Sequence, residues 1–255
     1  MTDQKKYEYQ HGFSEMHPEA MYDEKMREQK ANKMLAVLGD YFEGKTENLR
    51  LLDIGTSTGF ISNVLSRKFG RVFGIDIDTK AVKHAKKSFS SDRLKYCIQD
   101  SMNIAYQSNT FDAAVCAQVY EHVPDSARLL EEIYRVLKPG GVCFFAAGNR
   151  FVLIEGHYQL PLLAAVPKWV GHMYLRLAGK GKYYYENHLS LWGLKKITSR
   201  FEIVDYTFKV INEPEKFYAD ELVKTGTSKQ KIAKLILKFA YWLFPTYIWI
   251  LYKND

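Results

Sequence analysis

The sequence is short of cysteine, with Cys97, Cys116 and Cys143 in 255 residues. None has a CxxC or Cys/His partner spacing, and all three fall inside apolar runs. A disulfide framework or a thiolate metal centre is therefore excluded, and inert core thiols in a reducing compartment are expected. Long apolar runs are also missing: the stretch from KQKIAKLILKFAYWLF to TYIWILYK is broken by Lys234, Lys238 and Pro245, too often to span a bilayer. The first residues, MTDQKKYEYQHGF, lack the apolar core of a signal peptide, which predicts a cytoplasmic protein. There is no internal repeat and no low-complexity tract. With 47% hydrophobic and 25% charged residues, wholesale disorder is excluded, and the length suits one large α/β domain carrying an insertion.

What is present is unevenly spread. Residues 1–160 hold 21 Lys+Arg against 21 Asp+Glu, whereas residues 161–255 hold 15 against 8, so the whole net charge of +7 belongs to the last third. Basic and aromatic residues interleave there, in KWVGHMYLRLAGKGKYYY and KQKIAKLILKFAYWLF. Such a surface suits anionic lipid headgroups, a phosphorylated substrate or nucleic acid, and equally an ordinary solvated lysine-rich face.

Residues 20–43 carry Met26, Met34, Leu35, Leu38 and Phe42 at helical spacing, predicting a helix ahead of the first strand that covers the sheet edge as a lid over residues 1–45. Strand LRLLDIG, a helix from Gly59 to Phe69, strand RVFGIDI and a helix capped by Asp78 follow. Strands LKYCIQD and FDAAVCAQ, helix DSARLLEEIYRVL, a KPGG turn and strand VCFFAAG complete an alternation of near-continuous apolar strands and helices. That pattern predicts a mostly parallel sheet covered on both faces. Residues 149–188 break it and read as an inserted cap. Helix HLSLWGLKKITSRF, strand FEIVDYTFKV, an amphipathic basic insertion over 212–244 and a last strand TYIWILYK close the chain, for seven strands in all.

The loop LLDIGTSTGF joins the first strand to its helix, the place where open parallel sheets bind ligands. Asp53, two residues before Gly55, would repel a pyrophosphate at the helix N-terminus but suits a ligand that brings an amino group and a cationic sulfonium, which points to S-adenosylmethionine. Asp76 ends the second strand, where a carboxylate accepts ribose hydroxyls. Asp100 ends the third, within reach of an adenine amino group, and Gln118 follows the fourth at the cleft mouth. Singly each is weak, a strand-end aspartate being more often a cap or turn residue.

Over residues 48–148 these strings resemble the class I S-adenosylmethionine-dependent methyltransferases, in particular the type 11 methyltransferase domain: LLDIGTSTG, VFGIDID, IQDSMNI, FDAAVCAQVYEHV and LKPGG. The resemblance implies a Rossmann-like α/β fold and a cofactor site of Asp53, Gly55, Thr56, Ser57, Gly59, Asp76, Ile77, Asp100, Ser101 and Gln118. Ser57 stands where the family usually has glycine, which is tolerated if its backbone angles stay negative, so binding is expected to survive. The strings HYQLPLLAAVPKW and KGKYYY are similar to bacterial methyltransferases of surface-polysaccharide and glycolipid assembly.

For proton removal from an acceptor hydroxyl the best-placed bases are His122, in YEHV, and His157, in EGHY, each of which also suits a structural role at a helix cap or cleft wall. Arg150, Trp169, Tyr183, Tyr184 and Tyr185 are the candidate acceptor contacts, with packing of the cap as the plainer reading. QVYEH is similar to the ExxEH with which small-RNA 2'-O-methyltransferases place a metal, and Glu121 and His122 match. Gln118, in place of the first glutamate, is a poor ligand for a hard cation, so no metal is expected. The helix around 229–244 sets Lys231, Lys234 and Lys238 against Ile232, Leu235, Ile236, Phe239 and Trp242, the pattern of an interfacial helix. The expectation is O-methylation of a glycan, glycolipid or other membrane-associated acceptor at the inner membrane face, with peripheral contact to anionic lipid. A prenylated quinone-type acceptor methylated on carbon or oxygen, or a non-catalytic cofactor-binding protein, is the alternative. Nucleic acid is not expected, since no NPPY-type string follows the fourth strand.

Overall fold

A computed structural model of the chain describes residues 10–254. Two short helices, α1 (Phe13–Met16) and α2 (Pro18–Met21), lead into α3 (Glu24–Tyr41), whose start is fixed by Asp23 accepting the Met26 N–H. The alternating core follows: β1 (Arg50–Ile54), α4 (Phe60–Leu65), β2 (Arg71–Asp76), α5 (Thr79–Phe89), β3 (Leu94–Ile98), β4 (Phe111–Ala117), α6 (Ser126–Val136) and β5 (Leu137–Gly148). After the cap with α7 (Lys168–Leu177) come α8 (Leu191–Ile197), β6 (Glu202–Asp205), α9 (Thr207–Asn212), α10 (Ser228–Phe239) and β7 (Thr246–Tyr252).

The seven strands lie in the order β3-β2-β1-β4-β5-β7-β6, parallel except for β7, which runs antiparallel to both neighbours. β1 and β4 are paired neighbours from which the strand order runs outward in both directions, so the C-terminal ends of these two strands form the crevice where an open α/β sheet takes its ligand. The strands are apolar on both faces because both are covered: Leu52, Ala114 and Phe145 face one core cluster, Leu51, Val115 and Phe144 the other.

Several boundaries differ from the expectation, among them the KPGG turn, which falls within β5, and the helix around 229–244, which ends at Phe239. The first-loop helix stops at Leu65 instead of Phe69, because Arg67, Lys68 and Phe69 close a turn on Val64 and Leu65 carbonyls. The stretch FEIVDYTFKV is strand only to Asp205. There the Asp205 Oδ1 accepts the Thr207 N–H at 2.8 Å and starts α9. The lid's helix starts at Glu24, with α1 and α2 ahead of it, and the first nine residues of the expected lid lie outside the described residues.

Candidate functional site

The glycine loop is built by two close approaches. A Cβ on Gly55 (φ +74°) would lie 2.6 Å from Val119 Cγ2, and one on Gly59 (φ +86°) 2.6 Å from Ala85 Cβ, so neither position takes a side chain. Between them Ser57 has φ +50°, which corrects the expectation of negative angles. The left-handed turn aims its N–H at Asp76 Oδ2 (2.8 Å), and the strain of a non-glycine residue there is held by that bond. Asp76 Oδ1 accepts the Asp78 N–H at 2.9 Å. The Ile77 N–H also acts on this carboxylate, whose lone-pair positions still leave room for a further donor.

Asp53 lies beneath the loop. It accepts the Ser62 hydroxyl at 2.5 Å, and Ser62 in turn meets Thr56 Oγ1. Its role is to fix the loop from below, since it is only 3% exposed. Burial raises the carboxyls of Asp53 and Asp76 to about 6, against hydrogen bonds that lower them. Ile77 and Ser101 stand half-buried at the same edge, and Asp100 Oδ1 accepts the Met102 N–H at 2.8 Å. Gln118 is exposed at the end of β4 with φ +55°. The cofactor residues read from the sequence thus line one edge of β1, β2, β3 and β4.

Next to Gln118 begins a second cluster. Gly148 at the end of β5 packs against both Gln118 Oε1 and the His188 ring. His188 Nε2 stands 3.4 Å from Glu155 Oε1, and the same oxygen is 2.7 Å from His157 Nδ1. The Glu155 Oε2 accepts the N–H groups of His157 and Tyr158, both at 2.9 Å. Despite its burial, these bonds hold the Glu155 carboxyl below the usual carboxylate range. Burial alone would lower His157, but the bond to Glu155 and the charges of Glu186, Glu155 and Glu121 together outweigh it and the imidazole is raised. The His157 ring meets His122 edge-on at 4.8 Å. His122 is pushed well down by burial and then by its imidazole neighbours. Both histidines predicted from sequence therefore converge, brought together by β4 and the cap.

The lid closes over both clusters. Thr58 donates to the Met21 carbonyl at 2.6 Å, Ser14 N–H donates to Asp78 Oδ2, and Arg27 stands close enough to Asp53 and Asp76 to be held by their charge. Phe13 packs on His122 with ring centroids at 4.9 Å, and His17 approaches His157 at 6.4 Å.

The proposed acceptor contacts divide. Tyr184 is buried with Leu163 and Leu175 in a small core of the cap, so it packs where an open stacking face was expected. Arg150 donates to the Ala165 carbonyl at 3.3 Å and braces the cap. Trp169 and Tyr183 are exposed on the cap, and Tyr185 is half-buried beside Glu186. Sequence reasoning missed Glu155, Glu186, His188, His17 and Arg27. The readable signal for the first three is the repeated Glu-x-His spacing, EGH at 155–157 and ENH at 186–188.

The strand order, the single antiparallel strand and the ligand edge define a class I methyltransferase fold. Residues 52–145 match the family model of the type 11 methyltransferase domain. The ubiquinone biosynthesis O-methyltransferase of Psychrobacter arcticus is 34% identical over 125 residues, 45% of this chain and 49% of that protein. The chain thus spans about half the length of that relative. Among solved structures, a methyltransferase from Methanosarcina mazei has a TM-score of 0.55 at 18% identity, covering 84% of this chain and 97% of that one. The [4+2]-cyclase SpnF has a TM-score of 0.54 at 21% identity, covering 87% and 81%. The cyclase shows that this fold alone does not fix the reaction.

Proposed function

We propose that the chain transfers a methyl group from S-adenosylmethionine to a hydroxyl oxygen of a membrane-resident acceptor, with a prenylated phenol favoured over a sugar. When bound, the cofactor supplies an electrophilic methyl carbon on a sulfonium. The residues suit it: a bare-backbone loop at Gly55 and Gly59, and the Asp76 carboxylate with lone pairs for ribose hydroxyls. Asp100 and Gln118 border the adenine and the cleft mouth.

The observation that carries the hydroxyl reading is the Glu155–His157 pair facing His122 beside Gln118. With Glu155 accepting a hydrogen bond from Nδ1–H, His157 presents the Nε2 lone pair, which can accept the acceptor's O–H proton as its oxygen attacks the methyl carbon. Glu155 is the positioning residue that fixes ring and tautomer. The lid and cap cover the reacting groups. The burial of Tyr184 removes one of the sugar-stacking rings, and the named O-methyltransferase relative belongs to quinone biosynthesis, which favours the phenol.

The test is transfer of labelled methyl from S-adenosylmethionine into a native extract, then separated into lipid, soluble metabolite, polysaccharide, nucleic acid and protein. Label is expected in the lipid fraction. His157→Ala should lower turnover about 10²- to 10⁴-fold while S-adenosylhomocysteine still binds. Equal loss of both would make His157 structural, and label in no fraction would return the chain to a non-catalytic cofactor binder.

A further inference from the structure

We propose that the chain holds a divalent transition-metal ion between the end of β4 and the cap, with His122, His157 and Glu186 as its protein ligands. The three offer donor atoms that all lie within 4.8 Å of one another. A small side-chain adjustment closes that span on one ion at the ordinary distances of about 2.0–2.2 Å. Two imidazoles and one carboxylate are the donor set of zinc and its first-row neighbours, whereas calcium and magnesium take oxygen ligands.

A second group, Glu155, His157 and His188, is equally compact, but its atoms are already bonded to one another. Glu155 therefore serves as outer support. It takes His157 Nδ1–H and leaves Nε2 for the ion, the arrangement by which a carboxylate orients a metal-bound imidazole.

An independent observation points to the same place. Glu121 is fully buried beside His122, and neither of its carboxylate oxygens has a hydrogen-bond partner among the described residues. Its carbonyl accepts the Asn187 N–H at 2.7 Å, which fastens it to the segment that carries Glu186. A buried carboxylate without hydrogen bonds is costly, and a nearby dication offsets that cost. Neither His157 nor Glu186 belongs to the QVYEH string, so glutamine at position 118 does not bear on this site.

The inference rests on the hydroxyl reading above for its role. Three protein ligands leave coordination open toward the acceptor, and a coordinated hydroxyl loses its proton more readily, to solvent instead of to His157.

The full chain would be stripped with EDTA, desalted and titrated with zinc chloride by calorimetry, and a separate sample loaded with Cu²⁺ for electron paramagnetic resonance. Expected are one Zn²⁺ per chain and nitrogen couplings from two imidazoles. His122→Ala and Glu186→Gln should abolish the tight uptake, and Glu155→Gln should weaken it about 10- to 100-fold, in variants that still melt cooperatively and bind S-adenosylhomocysteine. No saturable uptake, uptake unchanged in those variants, or a spectrum without nitrogen coupling overturns the site. If the variants do not fold, the spectrum of the unaltered chain decides. Transfer that survives chelation with no uptake removes the ion and keeps the hydroxyl reading; uptake with transfer to no fraction does the reverse.

Discussion

Ser57 sits in the left-handed region with its N–H committed to Asp76. A non-glycine residue there costs roughly 1–2 kcal/mol, and glycine returns about 0.5–1 of it through the unfolded chain. Ser57→Gly should therefore raise stability by up to about 1 kcal/mol without weakening S-adenosylhomocysteine, measured by urea denaturation and calorimetry. The aspartates beneath and beside it make a pH prediction. Their folded values, raised to about 6, exceed those of the unfolded chain, so the folded state binds more protons between about pH 4 and 6. The ligand-free protein should gain stability from these groups as pH falls from 7 through that window. Cofactor affinity should move the opposite way, full above about pH 7 and falling through 6, because ribose hydroxyls need the ionised acceptor. Thermal melts with and without S-adenosylhomocysteine across this range test both signs.

At the level of elements, the sheet was legible because each parallel strand is an apolar run bounded by a loop signal, and the Asp78 cap was legible because aspartate starts helices. The end of β6 was not, since the switch from strand to α9 depends on Asp205 capping Thr207, which competes with an alternating pattern that favours strand. The residues proposed for the cofactor were readable as strand-end positions. Half of the histidine cluster, His17 and His188, was not, because the cluster joins residues 17, 122, 157 and 188 from four separate segments, and nothing local fixes that juxtaposition. Nor could a serine announce its own left-handed angles. The lid's docking is testable on its own: Thr58→Val deletes the O–H donated to the Met21 carbonyl and should cost about 1 kcal/mol of local closure. Hydrogen exchange of amides over residues 13–21 should then quicken while the sheet amides stay protected. No change there would mean that the bond does not hold the lid.

For the whole molecule, the charge asymmetry meets exposed apolar side chains. α7 exposes Trp169, Met173 and Leu177 at four-residue spacing, and α10 exposes Ile232, Leu235 and Phe239 next to Lys231 and Lys238. Leu237 alone among the large apolar residues of α10 is fully packed inward, so most of the helix's apolar side faces out. Trp242 joins this region to the cap through Phe151 and to α8 through Trp192. Among the described residues no helix is long and apolar enough to cross a membrane. For the proposed membrane-resident acceptor, this pattern makes peripheral contact with a bilayer a testable expectation. Co-sedimentation with phosphatidylserine vesicles should be strong at low salt, weaken as salt screens the lysines, and drop for Phe239→Asp and Trp169→Asp. Binding indifferent to salt and to both substitutions would make these faces ordinary surface.

One small feature bears on the proposed transfer. Phe13 leans on His122 while the next residue, Ser14, is tied to Asp78 at the cofactor's edge. Adjacent residues of one helical turn cannot let go of one compartment and keep hold of the other. In the proposed transfer both compartments then empty and refill in the same opening, so the departure of spent cofactor and methylated acceptor is expected to be timed together and turnover to slow with solvent viscosity.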